Sequence, residues 1–271
     1  MNVYERVTRH HLMVVAGGVA FFAFLSIFPA LASVVSIYGL ITDASSVEQD
    51  IARLTSFIPQ EVRELLFGSM KEIATTKVST HIFGLVISVF LSLWSANKAM
   101  KAANEGLNIT YETNEDRGFI KVNIITFILT LLTSIVMILV IGVAVLLPIV
   151  VSHFLSQGAA EIMILIFSWT LLIIVIMGLV TILYRFAPAR AVRPPISHML
   201  PGVIFTTVTI IITSIGFSFY VSNFSTFDEE YGALGAVVIT MLWLYLVSYI
   251  FLVGAEINAR LQPFRCPSHT R

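Results

Sequence analysis

Six long apolar stretches dominate the pattern of hydrophobic and polar positions along this chain. Crossing about 30 Å of hydrocarbon takes roughly 20 residues whose backbone groups bond within the segment. The stretches that meet or approach this length cover residues 12–41, 81–94 extended by the alanine-rich 95–106, 119–151, 162–186, 199–221 and 233–255. They are continuous, whereas strands of a membrane β-barrel are about ten residues long and alternate in character. The pattern predicts an all-α integral membrane protein with six transmembrane helices.

The connection between the first two stretches has a different, amphipathic pattern. Apolar residues recur at helical intervals on both sides of Pro59, with charged residues between them. This pattern predicts an extracytoplasmic amphipathic helical hairpin over residues 43–80, either a cap that covers helix ends or a gate. The whole chain, residues 1–271, is interpreted as one membrane domain that includes this hairpin and ends in a cytoplasmic tail over 261–271.

Composition supports the membrane assignment and excludes several other classes. Hydrophobic residues make up 57% of the chain and charged residues 12%, about half the usual charged share of a soluble domain, with a mean hydropathy of +0.92. Sixteen basic residues balance sixteen acidic ones, so no excess basic field is present to bind nucleic acid. A single cysteine, Cys266, excludes an intramolecular disulfide. The histidines lack zinc-type spacing and no phosphate-binding GxxxxGK[ST] loop occurs, so we expect no cofactor.

The positions of the basic residues predict the orientation of the chain, because cytoplasmic loops near helix ends retain Lys and Arg. Twelve of the sixteen fall in the two terminal segments and in the second and fourth connections: Arg6, Arg9, Lys98, Lys101, Arg117, Lys121, Arg185, Arg190, Arg193, Arg260, Arg265 and Arg271. Both termini are therefore expected in the cytoplasm. Ala30-Leu31-Ala32 is similar to a signal-peptide cleavage site, but the apolar core before it is longer than a signal peptide's, which favours an uncleaved helix.

A set of polar and aromatic residues is expected near the cytoplasmic ends of the helices. An ionisable group in an apolar segment is costly and is usually paired or functional. Glu256 follows about twenty apolar residues and could pair with Lys98, Arg185 or Arg260, or be hydrated by headgroups. We interpret the set as a basic and polar vestibule that binds substrate: Trp94, Lys98, Lys101, Asn104, Asn108, Arg185, Glu256 and Asn258.

Short blocks in a fixed order along the chain resemble the YihY/virulence factor BrkB family, once called ribonuclease BN. The blocks are Val19-Ala-Phe-Phe-Ala-Phe-Leu-Ser-Ile-Phe-Pro29, Trp94-Ser-Ala-Asn-Lys-Ala-Met100, Leu107-Asn108 with Tyr111, Leu183-Tyr-Arg-Phe-Ala-Pro188, Pro201-Gly202, Tyr231-Gly-Ala-Leu-Gly235, Leu242-Trp-Leu-Tyr245 and Gly254-Ala-Glu-Ile-Asn-Ala259. Asn97-Lys98 stands where a pair similar to Ser-Arg is expected.

The resemblance implies a bacterial inner-membrane protein of six helices, linked to serum resistance and suspected of moving lipids or other envelope molecules. With the basic vestibule, it favours an ATP-independent transporter or flippase of lipids or other amphiphiles, with membrane lipids, including anionic ones, as partners. A channel and a non-transporting envelope scaffold remain alternatives. Ribonuclease activity is the least supported, because no acid, base or metal set for phosphodiester cleavage is apparent. Stripes of small residues are compatible with a homodimer.

The orientation has a direct test, because the only thiol, Cys266, lies in the tail that is expected inside the cell. A membrane-impermeant maleimide should leave Cys266 unlabelled in intact cells and label it after permeabilisation. Labelling before permeabilisation, with membrane integrity verified, would place the tail outside.

Overall fold

The computed structural model describes residues 2–41, 78–154, 159–190, 194–223 and 233–261. These residues contain α-helices and one short 3-10 helix, and no strand. The hairpin expected over residues 43–80 lies almost wholly outside the described residues, as do the acidic connection over 224–232 and the tail with Cys266.

Seven α-helices are formed by the described residues. Their bounds are α1 Val3–Arg9, α2 Leu12–Ile41, α3 Val78–Thr110, α4 Phe119–Phe154, α5 Ala159–Phe186, α6 Leu200–Asn223 and α7 Ala233–Leu261, with the 3-10 helix Ile196–His198 before α6. Within the described residues, six helices are long and apolar enough to cross a membrane, namely α2 to α7. The predicted all-α fold with six candidate spans is confirmed, and the alanine-rich residues 95–106 continue the second span as expected.

The helices divide into two compact units. The first unit comprises residues 1–19, 100–218 and 245–271, and the second comprises residues 20–99 and 219–244. The first unit holds a core of fully buried apolar side chains that includes Leu12, Leu107 and Leu252. In the second unit, serine hydroxyls link α2 to α3, as Ser33 Oγ lies 3.1 Å from Ser88 Oγ and Ser92 Oγ donates to the Ser26 carbonyl at 3.4 Å. Such hydroxyl contacts are common between membrane helices.

Large apolar side chains cover the outer faces of the helices. Phe119 is 83% exposed and Ile138 is 70% exposed, and Phe83 and Phe219 are similarly open. In water, faces of this size and polarity would be unstable, whereas hydrocarbon solvates them. The exposed side chains therefore agree with spans that face lipid.

Glycines allow two helices of the first unit to approach closely. A Cβ atom at Gly202 of α6 would overlap the Gly254 carbonyl oxygen of α7, and one at Gly254 would overlap the Thr206 hydroxyl. Tyr184 of α5 joins the same contact, because its hydroxyl lies 2.7 Å from Thr206 Oγ1 and donates to the Phe251 carbonyl. Backbone contact of this kind is what small residues make possible between membrane helices.

Replacing Gly202 with alanine should therefore destabilise the protein by about 1–3 kcal/mol, since the added methyl group meets backbone atoms that cannot move aside cheaply. The matched control is Gly216→Ala on the same helix, where an added Cβ has no atom within 4 Å. Thermal unfolding of the detergent-solubilised protein measures both. Equal midpoints for the two variants would contradict a close contact at Gly202.

Candidate functional site

One end of the first unit collects charged and amide side chains, and we call it the polar end. It comprises α1, the connection from Tyr111 to Gly118, the described residues 187–190 and 194–199 of the connection after α5, and the last turns of α7. Side-chain contacts tie these segments together, as Arg6 reaches the Thr110 carbonyl at 3.2 Å and Arg117 reaches the Ala187 carbonyl at 2.9 Å. Several segments that their basic residues assign to one side of the membrane therefore meet at one end of this unit.

Glu256 is the most buried charged group of the polar end. Its side chain has no exposed surface, and it lies near the end of α7. The Arg6 Nε atom donates to Glu256 Oε1, and the His10 Nδ1 atom lies 3.1 Å from Oε2. Lys98, Arg185 and Arg260 were the partners expected from the sequence, whereas the partners in the structure come from the N-terminal helix and the turn after it.

The end of α3 brings a second carboxylate to the same cations. Glu112 adopts a left-handed backbone conformation with φ of 51°, and the Thr113 N–H bonds back to the Asn108 carbonyl at 2.9 Å. This arrangement ends a helix with a position that glycine usually occupies. It places Glu112 Oε1 3.2 Å from Arg6 Nη1 and 3.6 Å from His10 Nε2. The His10 imidazole thus lies between two carboxylates and can donate to both only when protonated.

The amides of α3 belong to a second cluster, organised by Glu115. Asn108 donates to Glu115 Oε2 at 3.0 Å and Asn104 lies 3.5 Å from the same oxygen. Arg117 donates to both Glu115 oxygens at 2.6 Å, and this pairing holds the pKa of the Glu115 carboxyl down at about 2. Asn108 Oδ1 also accepts from the Ala189 N–H at 2.7 Å. The cluster therefore fastens α3 to the connection after α5.

The other predicted site residues of the first unit do not belong to the Glu256 or Glu115 clusters. The Asn258 Oδ1 atom accepts from the Gly202 N–H at 2.7 Å, and Lys101 donates to Asn123 of α4. Arg185 has its guanidinium 6.0 Å from the Phe186 ring centre and no ion-pair partner among the described residues. In the second unit, Lys98 lies 5.2 Å from the ring centre of Trp94, which is 52% exposed.

An apolar recess of about 550 Å³ lies at the start of α4. Its lining is almost wholly apolar, with one basic residue: Gly118, Phe119, Ile120, Lys121, Ile124 and Ile125. Asn123, which accepts from Lys101, belongs to the same turn of α4. Two lysines are therefore close to an apolar surface near the polar end.

Arg6, His10, Glu112, Glu115 and Arg117 are central to the polar end but were not among the predicted site residues. In the sequence, Arg6 and Arg117 counted only toward orientation. Their partners are distant in the chain, with Arg6 and Glu256 separated by 250 positions. The sequence feature that could have drawn attention to this region is the capped first turn of α1, where Glu5 accepts from the Asn2 N–H at 3.1 Å.

Comparisons with known proteins identify the family. The family model described as "Virulence factor BrkB" matches residues 3–269. This chain belongs to the BrkB family. A relative in Bacillus subtilis, strain 168, named "Putative ribonuclease-like protein YfkH", is 28% identical over 96% of this chain and 94% of its own length. The "UPF0761 membrane protein xcc-b100_3490" of Xanthomonas campestris pv. campestris, strain B100, is 38% identical over 32% of this chain and only 20% of its own length. No solved structure matches.

The membership confirms the resemblance seen in the sequence blocks and agrees with six candidate spans. The word "ribonuclease-like" belongs to the Bacillus relative's printed name. In the described part of this BrkB-family chain, no group of three or more His, Cys, Asp or Glu side chains is placed to hold a metal ion.

Substituting Arg6 with Gln should destabilise the protein by about 3–5 kcal/mol, because Glu256 would remain buried without its counter-charge. The double variant with Glu256→Gln should cost less than the two single variants added together, since it removes both charges. Exposed Arg260→Gln is the matched control and should change stability little. Thermal unfolding in detergent checks this, and additive single effects would contradict the coupling.

Proposed function

We propose that this protein is an ATP-independent transporter or flippase of lipids or other amphiphiles. The observation that carries the proposal is the apolar recess at the start of α4, with Lys121 in its lining and Lys101 bound to the same helical turn. An amphiphile needs an apolar surface for its chain and a charged group for its head, and basic groups between helices bind anionic headgroups. The two needs are met within one turn of α4.

The charge balance of the described polar end supports an anionic headgroup. Arg6, His10 and Arg117 pair with the carboxylates of Glu112, Glu115 and Glu256, so these three negative side chains already have counter-charges. Among the described residues, Lys101, Lys121 and Arg185 have no carboxylate partner. We propose that these cations contact the headgroup and that the internally bonded Asn104, Asn108 and Glu256 hold the surrounding helices in place. For Trp94 and Lys98, which lie in the second unit, substrate binding stays a prediction from the sequence.

Three other functions are less favoured. A channel needs a polar path, yet the hydroxyls of Thr126 and Thr130 donate to carbonyls of their own helix at 2.9 and 2.7 Å. An envelope scaffold would make its contacts through the connections outside the described residues. Ribonuclease activity lacks a phosphate-cleaving set among the described side chains, and we propose that the protein is not an enzyme.

Reconstitution of the full chain into liposomes tests the proposal. Fluorescent phosphatidylglycerol, whose outer-leaflet pool is bleached by an impermeant reductant, should move between leaflets, and ion-sensitive dyes in the same vesicles should report no flux. Lys101→Gln combined with Lys121→Gln should slow lipid movement about thirtyfold if each lost charge weakens headgroup binding by about 1 kcal/mol. Arg260→Gln, which removes an exposed charge at the end of α7, is the matched control.

Each outcome of the reconstitution points to one function. Unchanged lipid movement in the double lysine variant would remove the recess from the mechanism. Ion flux without lipid movement would identify a channel, and neither activity in well-incorporated protein would favour the scaffold.

A further inference from the structure

Two carboxylates and two basic side chains alternate around the N-terminal helix at the polar end. Arg6 pairs with Glu256 through its Nε atom and with Glu112 through its Nη1 atom, the second contact being 3.2 Å long. His10 faces the same two carboxylates, with Nδ1 3.1 Å from Glu256 Oε2 and Nε2 3.6 Å from Glu112 Oε1. Arg6 and His10 therefore both bridge the turn after α3 and the end of α7.

The net charge of these four groups depends on whether the His10 imidazole holds a second proton. With a neutral imidazole, two carboxylates face one guanidinium, and the ring can donate a hydrogen bond to only one of them. With an imidazolium, the charges are balanced and both ring nitrogens carry a proton. Only 8% of the His10 side chain is exposed and Glu256 has no exposed surface, so water does little to compensate an unbalanced charge here.

The other charged and titratable groups of the surrounding segments keep one charge state near neutral pH. The charge of Glu256 acts on Tyr111, in the turn after α3, but burial raises the pKa of the Tyr111 hydroxyl to about 12 and keeps it protonated. Arg6 and Arg9 of α1 carry guanidinium groups, which stay charged, as does Arg190, which lies over the Tyr111 ring. An imidazole is the side chain whose ordinary titration falls between pH 5 and pH 8.

The helix that carries these basic groups is too short to hold its place without such contacts. It has seven residues, and isolated helices shorter than about 12 residues are marginal in water. Its fully buried apolar anchor is Val7, which is 6% exposed. The turn to α2 contains His11, whose φ of 50° belongs to the left-handed region. A few side-chain contacts therefore determine whether α1 packs against the ends of α3 and α7.

We propose that His10, placed between Glu256 and Glu112, is a proton-binding site whose occupancy docks α1 against the ends of α3 and α7. Proton binding and docking stabilise each other, because the imidazolium gains both carboxylates only in the docked position. The docking is fully stabilised below about pH 6.5, where an unperturbed imidazole titrates, and it weakens as the pH rises and the proton leaves. The site responds to the pH of the compartment that the polar end faces, and it does not depend on lipid transport.

Cysteine accessibility measures the docking in the purified full chain in detergent. In a Cys266→Ser background, Val7→Cys places a thiol on the buried face of α1, which a maleimide reaches only when the helix leaves. Tyr4→Cys, at an 80% exposed position of the same helix, is the matched control, and the ratio of the two labelling rates removes the pH dependence of thiol reactivity. We expect this ratio to rise about tenfold from pH 6 to pH 8, the loss expected for one hydrogen bond to a charged group.

Three variants distinguish the proposed site from other titrating groups. His10→Gln leaves two carboxylates with one cation, so the labelling ratio should be high at both pH values. His11→Asn removes an exposed imidazole at a left-handed position that asparagine tolerates, and it should keep the wild-type response. Glu112→Gln removes the excess negative charge, so the ratio should stay low at both pH values.

A further thiol reports opening of the fold as a whole. Val180→Cys, at a 5% exposed position inside a candidate span, should label slowly at both pH values in every variant. A labelling ratio that does not change between pH 6 and pH 8 in the otherwise wild-type chain would overturn the site. A pH response that persists in His10→Gln or disappears in His11→Asn would overturn it as well. The same holds for a high ratio in Glu112→Gln at pH 8, and for Val180→Cys labelling that rises together with that of Val7→Cys.

Discussion

A buried carboxylate at the end of a membrane helix must find a counter-charge, and Glu256 finds one in the N-terminal helix. The Arg6 side chain that supplies it also reaches the Thr110 carbonyl and Glu112, so one guanidinium joins α1, α3 and α7. Taking charges out of water is expensive unless every lone pair and proton is used. The position of α1 and the left-handed turn after α3 both follow from this requirement.

The same requirement separates two kinds of polar group at the polar end. The amides of Asn104 and Asn108 and the carboxylate of Glu115 bond one another and the neighbouring backbone, so they fix loop positions. Lys121 lines the apolar recess, and Arg190 lies over the Tyr111 ring. Internally satisfied networks give rigidity, whereas donors that border apolar surface can serve a ligand with both a charged and an apolar part.

Hydropathy alone predicted most of the fold, because lipid imposes helices of a certain length. The stretch predicted over residues 12–41 is the helix Leu12–Ile41. The stretch predicted over residues 119–151 is the helix Phe119–Phe154, which continues three residues further. The site was predicted less completely. Glu256 was recognised because charge is rare in an apolar segment, whereas Arg6 and His10 are ordinary near a chain terminus. Nothing local in the sequence distinguishes a basic residue that pairs across the fold from one that faces water.

The sequence by itself determined the membrane class, the spans, the grouping of the basic segments and the family. These depend on local composition and order, which bilayer thickness and backbone hydrogen bonding convert directly into structure. Only the tertiary structure decided which polar groups meet: Arg6 with Glu256, Glu115 with Asn108, and Arg190 with Tyr111. Each partnership joins separate helices or loops that no local pattern brings together, and the close approach of α6 to α7 at Gly202 is likewise a tertiary contact.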